Sequence, residues 1–177
     1  MDFLMTSEIE ESRTKHKYRL SVLEQALETA ESWDFSLVEK YLKHRRDMSP
    51  ERIALVRKDY VRYMALIASG VQGFVCHAVD EFWHVHILHT QDYMKFCLAL
   101  TGKSFIHHVP AATEEERNAL GKNYLAFIGK YREHFGEPNR EVWGPTDMVC
   151  RSDCGSFIEE LPSWQRDGHA EAVRRTV

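Results

Sequence analysis

The stretch HAVDEFWHVHILHTQDYMKFCLAL, residues 77–100, decides how this chain is read. Its apolar residues recur at helical spacing, and no proline interrupts them, so it is expected to form one helix from His77 or Ala78 to Leu100, stopped by Gly102. Helix signals continue on both sides. Upstream, Lys17 to Trp33 carries Leu20, Leu23, Ala26, Leu27 and Ala30 on one face. Asp34 reads as an N-cap for Phe35 to Arg46. Ser49-Pro50-Glu51 is a restart signal, because serine caps, proline takes the first helical position and the acid meets the positive end of the helix dipole. That helix should run to Ser69 and end at Gly70, with Gly73 to Cys76 as a short apolar connection. Downstream, residues 101–112 read as a loop. Thr113 and Glu116 form a capping box that opens a helix from Glu114 to His134, closed by Gly136 and Pro138.

Strand signals are sparse and no internal repeat or linker is visible. The expected fold is all-α, a single-domain helical bundle of about five or six helices. Its core should span about residues 17–145, and residues 146–177 should form a less regular C-terminal segment with room for two short helices.

Bulk properties narrow the function classes. The chain has 177 residues, 44% of them hydrophobic, enough for one domain with a real core. A net charge of −4 gives no global field for nucleic acid. The basic run Lys43-His44-Arg45-Arg46 reads as a solvated helix C-terminus. No apolar run reaches the roughly 20 residues of a membrane span, and the N-terminus lacks the features of a signal peptide. A cytoplasmic protein is expected, without nucleic-acid or membrane partners and with a small molecule or peptide as its substrate. Four cysteines in such a chain do not suggest a disulfide scaffold. Cys150 and Cys154 would share a face if helical and could contribute to zinc binding, though Gly155 favours a turn there and plain thiols. Cys97 falls at an apolar position and suits packing.

Six of the ten histidines lie between positions 77 and 108, together with Asp80 and Glu81. Neutral imidazole and carboxylate are the usual ligands of zinc and non-haem iron. A helix turns about 100° per residue, so Asp80 and His84 point the same way, with His77 one further step along that face. His86 points about 160° away from His84 on an ideal helix. It groups instead with His89 and Tyr93. Either face could take a third ligand from His107 or His108, and two histidines with one carboxylate would make a facial triad.

The segment Val79-Asp80-Glu81-Phe82-Trp83-His84-Val85-His86-Ile87-Leu88, followed by Tyr93, Cys97, Gly102 and His107, resembles the core motif of the glycine-rich domain-containing protein family and its short bacterial relatives. Tyr131, Phe135-Gly136, Pro138 and Trp143 extend the likeness more loosely. Relatives often carry Pro or Ser just before the Val-Asp pair, where this chain has His77-Ala78, which makes His77 a helix terminus and a weaker ligand. The resemblance implies that Asp80, Trp83, His84, His86 and His107 matter. It brings no reaction with it.

Two functional readings follow. In the first, the chain holds one divalent metal ion, iron or zinc, through Asp80, His84 and His107 or His108. Asp80 is then a ligand or orients an imidazole. His86 binds from a distorted helix or acts as acid–base, and Tyr93 shapes the pocket beside it. Iron would point to oxidative chemistry and zinc to hydrolysis. In the second, the chain is a helical interaction module whose Trp-His-x-His stretch is a buried polar network that fixes helix packing.

Overall fold

The computed structural model describes residues 21–102, 104–146 and 154–160. Among them are seven helices and two strands: α1 Val22–Glu31, α2 Ser36–Arg45, α3 Pro50–Ala68, α4 His77–Leu88, α5 Thr90–Thr101, β1 Ser104–Pro110, α6 Glu114–Phe135, α7 Arg140–Trp143 and β2 Cys154–Glu160. The protein is mostly helical, with more helices than the five or six expected. None of the described helices is long and apolar enough to cross a membrane.

The local signals work where they are strong. Ser49 accepts a hydrogen bond from Arg52 N at 3.2 Å, and Pro50 takes the first position of α3. Thr113 and Glu116 complete both halves of their capping box at the start of α6. Ser21 and Glu24 do the same for α1; the expected part of that helix before Ser21 lies outside the described residues. Asp34 accepts from Ser36 N at 2.9 Å, but Phe35 rather than Asp34 is the N-cap of α2.

Helix α3 is the axis of the fold. Ten of its nineteen residues are buried, and it packs against α1, α2, α4, α5, α6, α7 and β2. Tyr60, Tyr63 and Met64 carry its inner surface into an aromatic core with Phe35, Phe74, Phe82, Trp83, Phe96, Phe127 and Tyr131. Asp59 is buried on the same helix and accepts a hydrogen bond from Tyr131, whose hydroxyl also receives Arg62 Nη1 at 3.0 Å. The connection after α3 passes close to it. A Cβ at Gly73 would stand 2.2 Å from Ile67 Cδ1 and 3.0 Å from Tyr63 Cε2, so only glycine lets the chain pass there unchanged.

Two expectations are corrected. The single helix over residues 77–100 is two helices, broken at His89, whose backbone leaves the helical region at φ −88°, ψ 61°. The break turns α5 back on α4 and brings Asp92 to His86. Neither glycine nor proline marks it; only the polar run Thr90-Gln91-Asp92, with its acid in the new first turn, hints at a restart. Residues 104–110 are not loop but strand β1. It pairs antiparallel with β2 from the C-terminal segment, His107 opposite Phe157 and His108 opposite Ser156. Hydrogen-bonding from a remote segment makes a strand of what local composition leaves ambiguous. Cys154 begins β2, so it is not on a helix, and Cys150 lies outside the described residues.

Candidate metal centre

Asp80 sits in the first turn of α4, where an acid complements the helix dipole. Four residues later His84 projects from the same face, with its Nδ1 3.7 Å from Asp80 Oδ2. The third group arrives from β1: His108 Nε2 donates to Asp80 Oδ1 at 2.7 Å. The His84 and His108 rings lie 4.4 Å apart. One ligand atom from each of Asp80, His84 and His108 lies within 4.8 Å of the other two, a group that could hold a metal ion. The Asp80 and His108 side chains are each 9% exposed and that of His84 is 54% exposed, so the group has a fixed floor and a wet outer edge.

The separations suit a small cation. Ligand bonds of about 2.0–2.1 Å at tetrahedral angles set neighbouring ligand atoms about 3.3 Å apart. Asp80 reaches His108 through Oδ1 at 2.7 Å and His84 through Oδ2 at 3.7 Å, so meeting that value takes rotation of the carboxylate and the two rings, which are side-chain adjustments. The hydrogen bond also places a proton on His108 Nε2, which a metal would displace.

The position of His108 is held by a second set of contacts. Trp83 packs edge-on against its ring at 4.5 Å. Trp83 Nε1 donates to Tyr93 Oη at 2.8 Å, and Tyr93 donates to Ile106 O at 2.5 Å. Ile106 lies two residues before His108 on β1, so this buried relay from α4 through α5 anchors the strand that delivers the imidazole. Burial pushes the Tyr93 hydroxyl far above its ordinary pKa, which keeps it a neutral donor.

His86 belongs to a different network. It is buried, with Nδ1 2.8 Å from Tyr60 Oη and Nε2 3.0 Å from Asp92 Oδ2. Trp33 Nε1 adds a donor to the same Asp92 oxygen at 3.3 Å. A carboxylate only accepts, so the arrangement calls for a proton on Nε2 and a Tyr60 hydroxyl that donates to Nδ1. Burial pushes the His86 pKa down to about 4, against the opposing pull of Asp92. The imidazole is therefore neutral near pH 7, and both its nitrogens are engaged. The network ties α3, α4 and α5 to the connection between α1 and α2.

The structure thus brings together Asp80, His84 and His108 and separates them from His86. His107 does not join the group. Side chains alternate along a strand, and His107 falls on the face of Phe105, 4.7 Å from its ring. His77 is exposed at the first position of α4. His89 stands at the helix break, edge-on to Tyr41, with Nε2 buried and without a hydrogen-bond partner among the described residues. Sequence reasoning missed Tyr60 and Asp92 as partners of His86, and Trp33 as a donor to Asp92. Tyr60 has no local signal, since it lies on the preceding helix, 26 residues away; Asp92, six residues after His86, becomes a partner only once the helix breaks.

A family profile matches residues 18–124, which contain the triad and the Val79–Leu88 motif. The chain belongs to the UCP032817-like family. No curated protein and no solved structure matches it. The family match covers α1 to α5, β1 and the start of α6, and so includes Asp80, His84 and His108 with Trp83, Tyr93 and Ile106, but not β2, which pairs with β1.

Proposed function

We propose that the protein binds one divalent transition-metal ion through Asp80, His84 and His108, and that the bound metal serves a reaction at its open positions. One observation carries this reading: a carboxylate and an imidazole of α4 and an imidazole of β1 converge within 4.8 Å, beside an exposed edge. Two histidines and one carboxylate leave coordination sites free for water or substrate. Zinc would supply an activated water and a Lewis acid for hydrolysis, and iron would supply oxidative chemistry. Asp80 and His84 hold the ion from α4, and His108 closes on it from β1. Trp83 and Tyr93 position His108. We read the motif's likeness to the glycine-rich domain-containing proteins as common descent, with the metal ligands set in the same Asp-x-x-Trp-His frame.

Untagged protein, measured by elemental analysis after loading with Fe(II) or Zn(II), should hold close to one metal per chain. His84→Ala and His108→Ala should each lose it, and His107→Ala should keep it. Protein that takes up neither metal, and shows no change in melting temperature with either, sinks the proposal. The second reading, an interaction module with a structural polar network, draws on the Tyr60–His86–Asp92 and Trp83–Tyr93–Ile106 relays. It accounts for His86 and Trp83 but leaves the outward His84 without a purpose.

A further inference from the structure

The exposed face of α4 beside the triad meets the basic end of α2. Lys43, His44 and Arg45 occupy the last turn of α2, where cations complement the helix's own dipole. Arg46 differs. It is the C-cap, past that turn, and its side chain crosses to another helix, with Nε 3.7 Å from Glu81 Oε1. The pair is long and wet, with side chains 55% and 30% exposed, so it contributes little and is readily exchanged. Glu81 directly follows Asp80 and stands one helical turn before His84, whose ring forms the open edge of the metal centre.

Charge indicates what this arrangement suits. Two neutral imidazoles, one carboxylate and a divalent ion leave the centre with a net charge of +1. Arg46 brings a further permanent positive charge to Glu81, the residue next to Asp80, in a chain whose net charge is −4. A local field of that sign favours an anion over a neutral or cationic group. The guanidinium donates readily to an oxygen of a carboxylate or phosphate, and a second oxygen of either group can meet a metal. On the metal-binding reading above, we propose that the centre takes an oxyanion-bearing small molecule, and that Arg46 exchanges Glu81 for the substrate's oxyanion.

The test uses full-length protein loaded with Co(II) at low ionic strength, where exposed charges are least screened. Inorganic phosphate is titrated against the visible absorption of the bound cobalt, and acetate is run in parallel to separate phosphate from carboxylate recognition. Arg46→Ala should weaken binding of the preferred anion about tenfold, the scale of one charge-assisted hydrogen bond, with cobalt affinity unchanged. Arg46→Lys should recover part of the loss. Glu81→Gln, which releases Arg46, should tighten anion binding several-fold. Cobalt bound normally, with anion affinity equal in Arg46→Ala and the unmodified chain, overturns this inference and leaves the metal reading standing. Absence of cobalt bands before any anion is added overturns the metal reading, and this inference with it.

Discussion

Acidification should destabilise the fold through His86 alone by an amount that can be worked out in advance. The imidazole has an ordinary pKa of 6.5, and burial pushes it down to about 4 in the folded protein. Asp92 opposes the shift, but its side chain is a quarter exposed, so water screens part of its attraction and burial wins. The folded state therefore resists a proton that the unfolded chain accepts. Stability from this group is fully present above about pH 6.5 and falls as pH drops toward 4. Below that, both states bind the proton and the loss stops. A difference of about 2.5 pH units, at about 1.4 kcal/mol each, gives a total of about 3 kcal/mol. By pH 4.5 about 2 kcal/mol of it should be gone.

Other carboxylates and histidines also titrate in this range, so the measurement has to isolate His86. Metal-free protein and His86→Phe are unfolded in urea between pH 7 and 4.5. The variant keeps a ring in the core and has nothing to protonate at this position. It should be the less stable protein at pH 7, because Tyr60 and Asp92 lose their partner. The gap between the two should narrow by about 2 kcal/mol at pH 4.5, roughly 1 M in urea midpoint. A gap that stays constant across the range would refute the assignment of a buried, neutral His86.

Three further outcomes follow from the packing. Gly73→Ala should cost about 1–3 kcal/mol in thermal or urea unfolding, because the new methyl overlaps Ile67 and crowds Tyr63; an unchanged midpoint would mean that Ile67 yields freely. Zinc at a hundred times its dissociation constant should stabilise the protein by about 2.7 kcal/mol, with hydrogen-exchange protection extending into β1 as well as α4, since His108 is the proposed ligand from the strand. Protection confined to α4 would remove His108 from the site. Tyr93→Phe should lower metal affinity about tenfold although Tyr93 is no ligand, because Trp83 and Ile106 lose their common partner. Equal affinities would show that β1 holds its place without that relay.

What the sequence discloses here depends on how local the cause is. Ser49-Pro50 and Thr113/Glu116 act within one turn, and both caps form as their spacing demands. Asp80 and His84 are also local, because four residues of helix fix their common face. The same arithmetic turns His86 away from His84, and the core receives it. The identity of its partners is another matter. Tyr60 reaches it through packing of α3 on α4, and Asp92 reaches it through a break at His89 that carries no glycine or proline. The choice between His107 and His108 was least accessible, because it depends on β1 being a strand, and β1 owes its pairing to β2 far along the chain.

The Trp-His-x-His motif can then be understood as two instructions on one helical turn. His84 points out toward the candidate metal centre, His86 points in and locks three helices, and Trp83 connects the outer site to the core by packing on His108 while donating to Tyr93. The weak point is the strand. Slipping β1 by one residue would turn every side chain over, withdrawing His108 and presenting His107 beside Asp80. The hydrogen bond from Tyr93 to Ile106 O opposes that slip, since it fixes a backbone atom two residues from the ligand. A candidate metal centre on the surface thus depends on a buried tyrosine that never touches it.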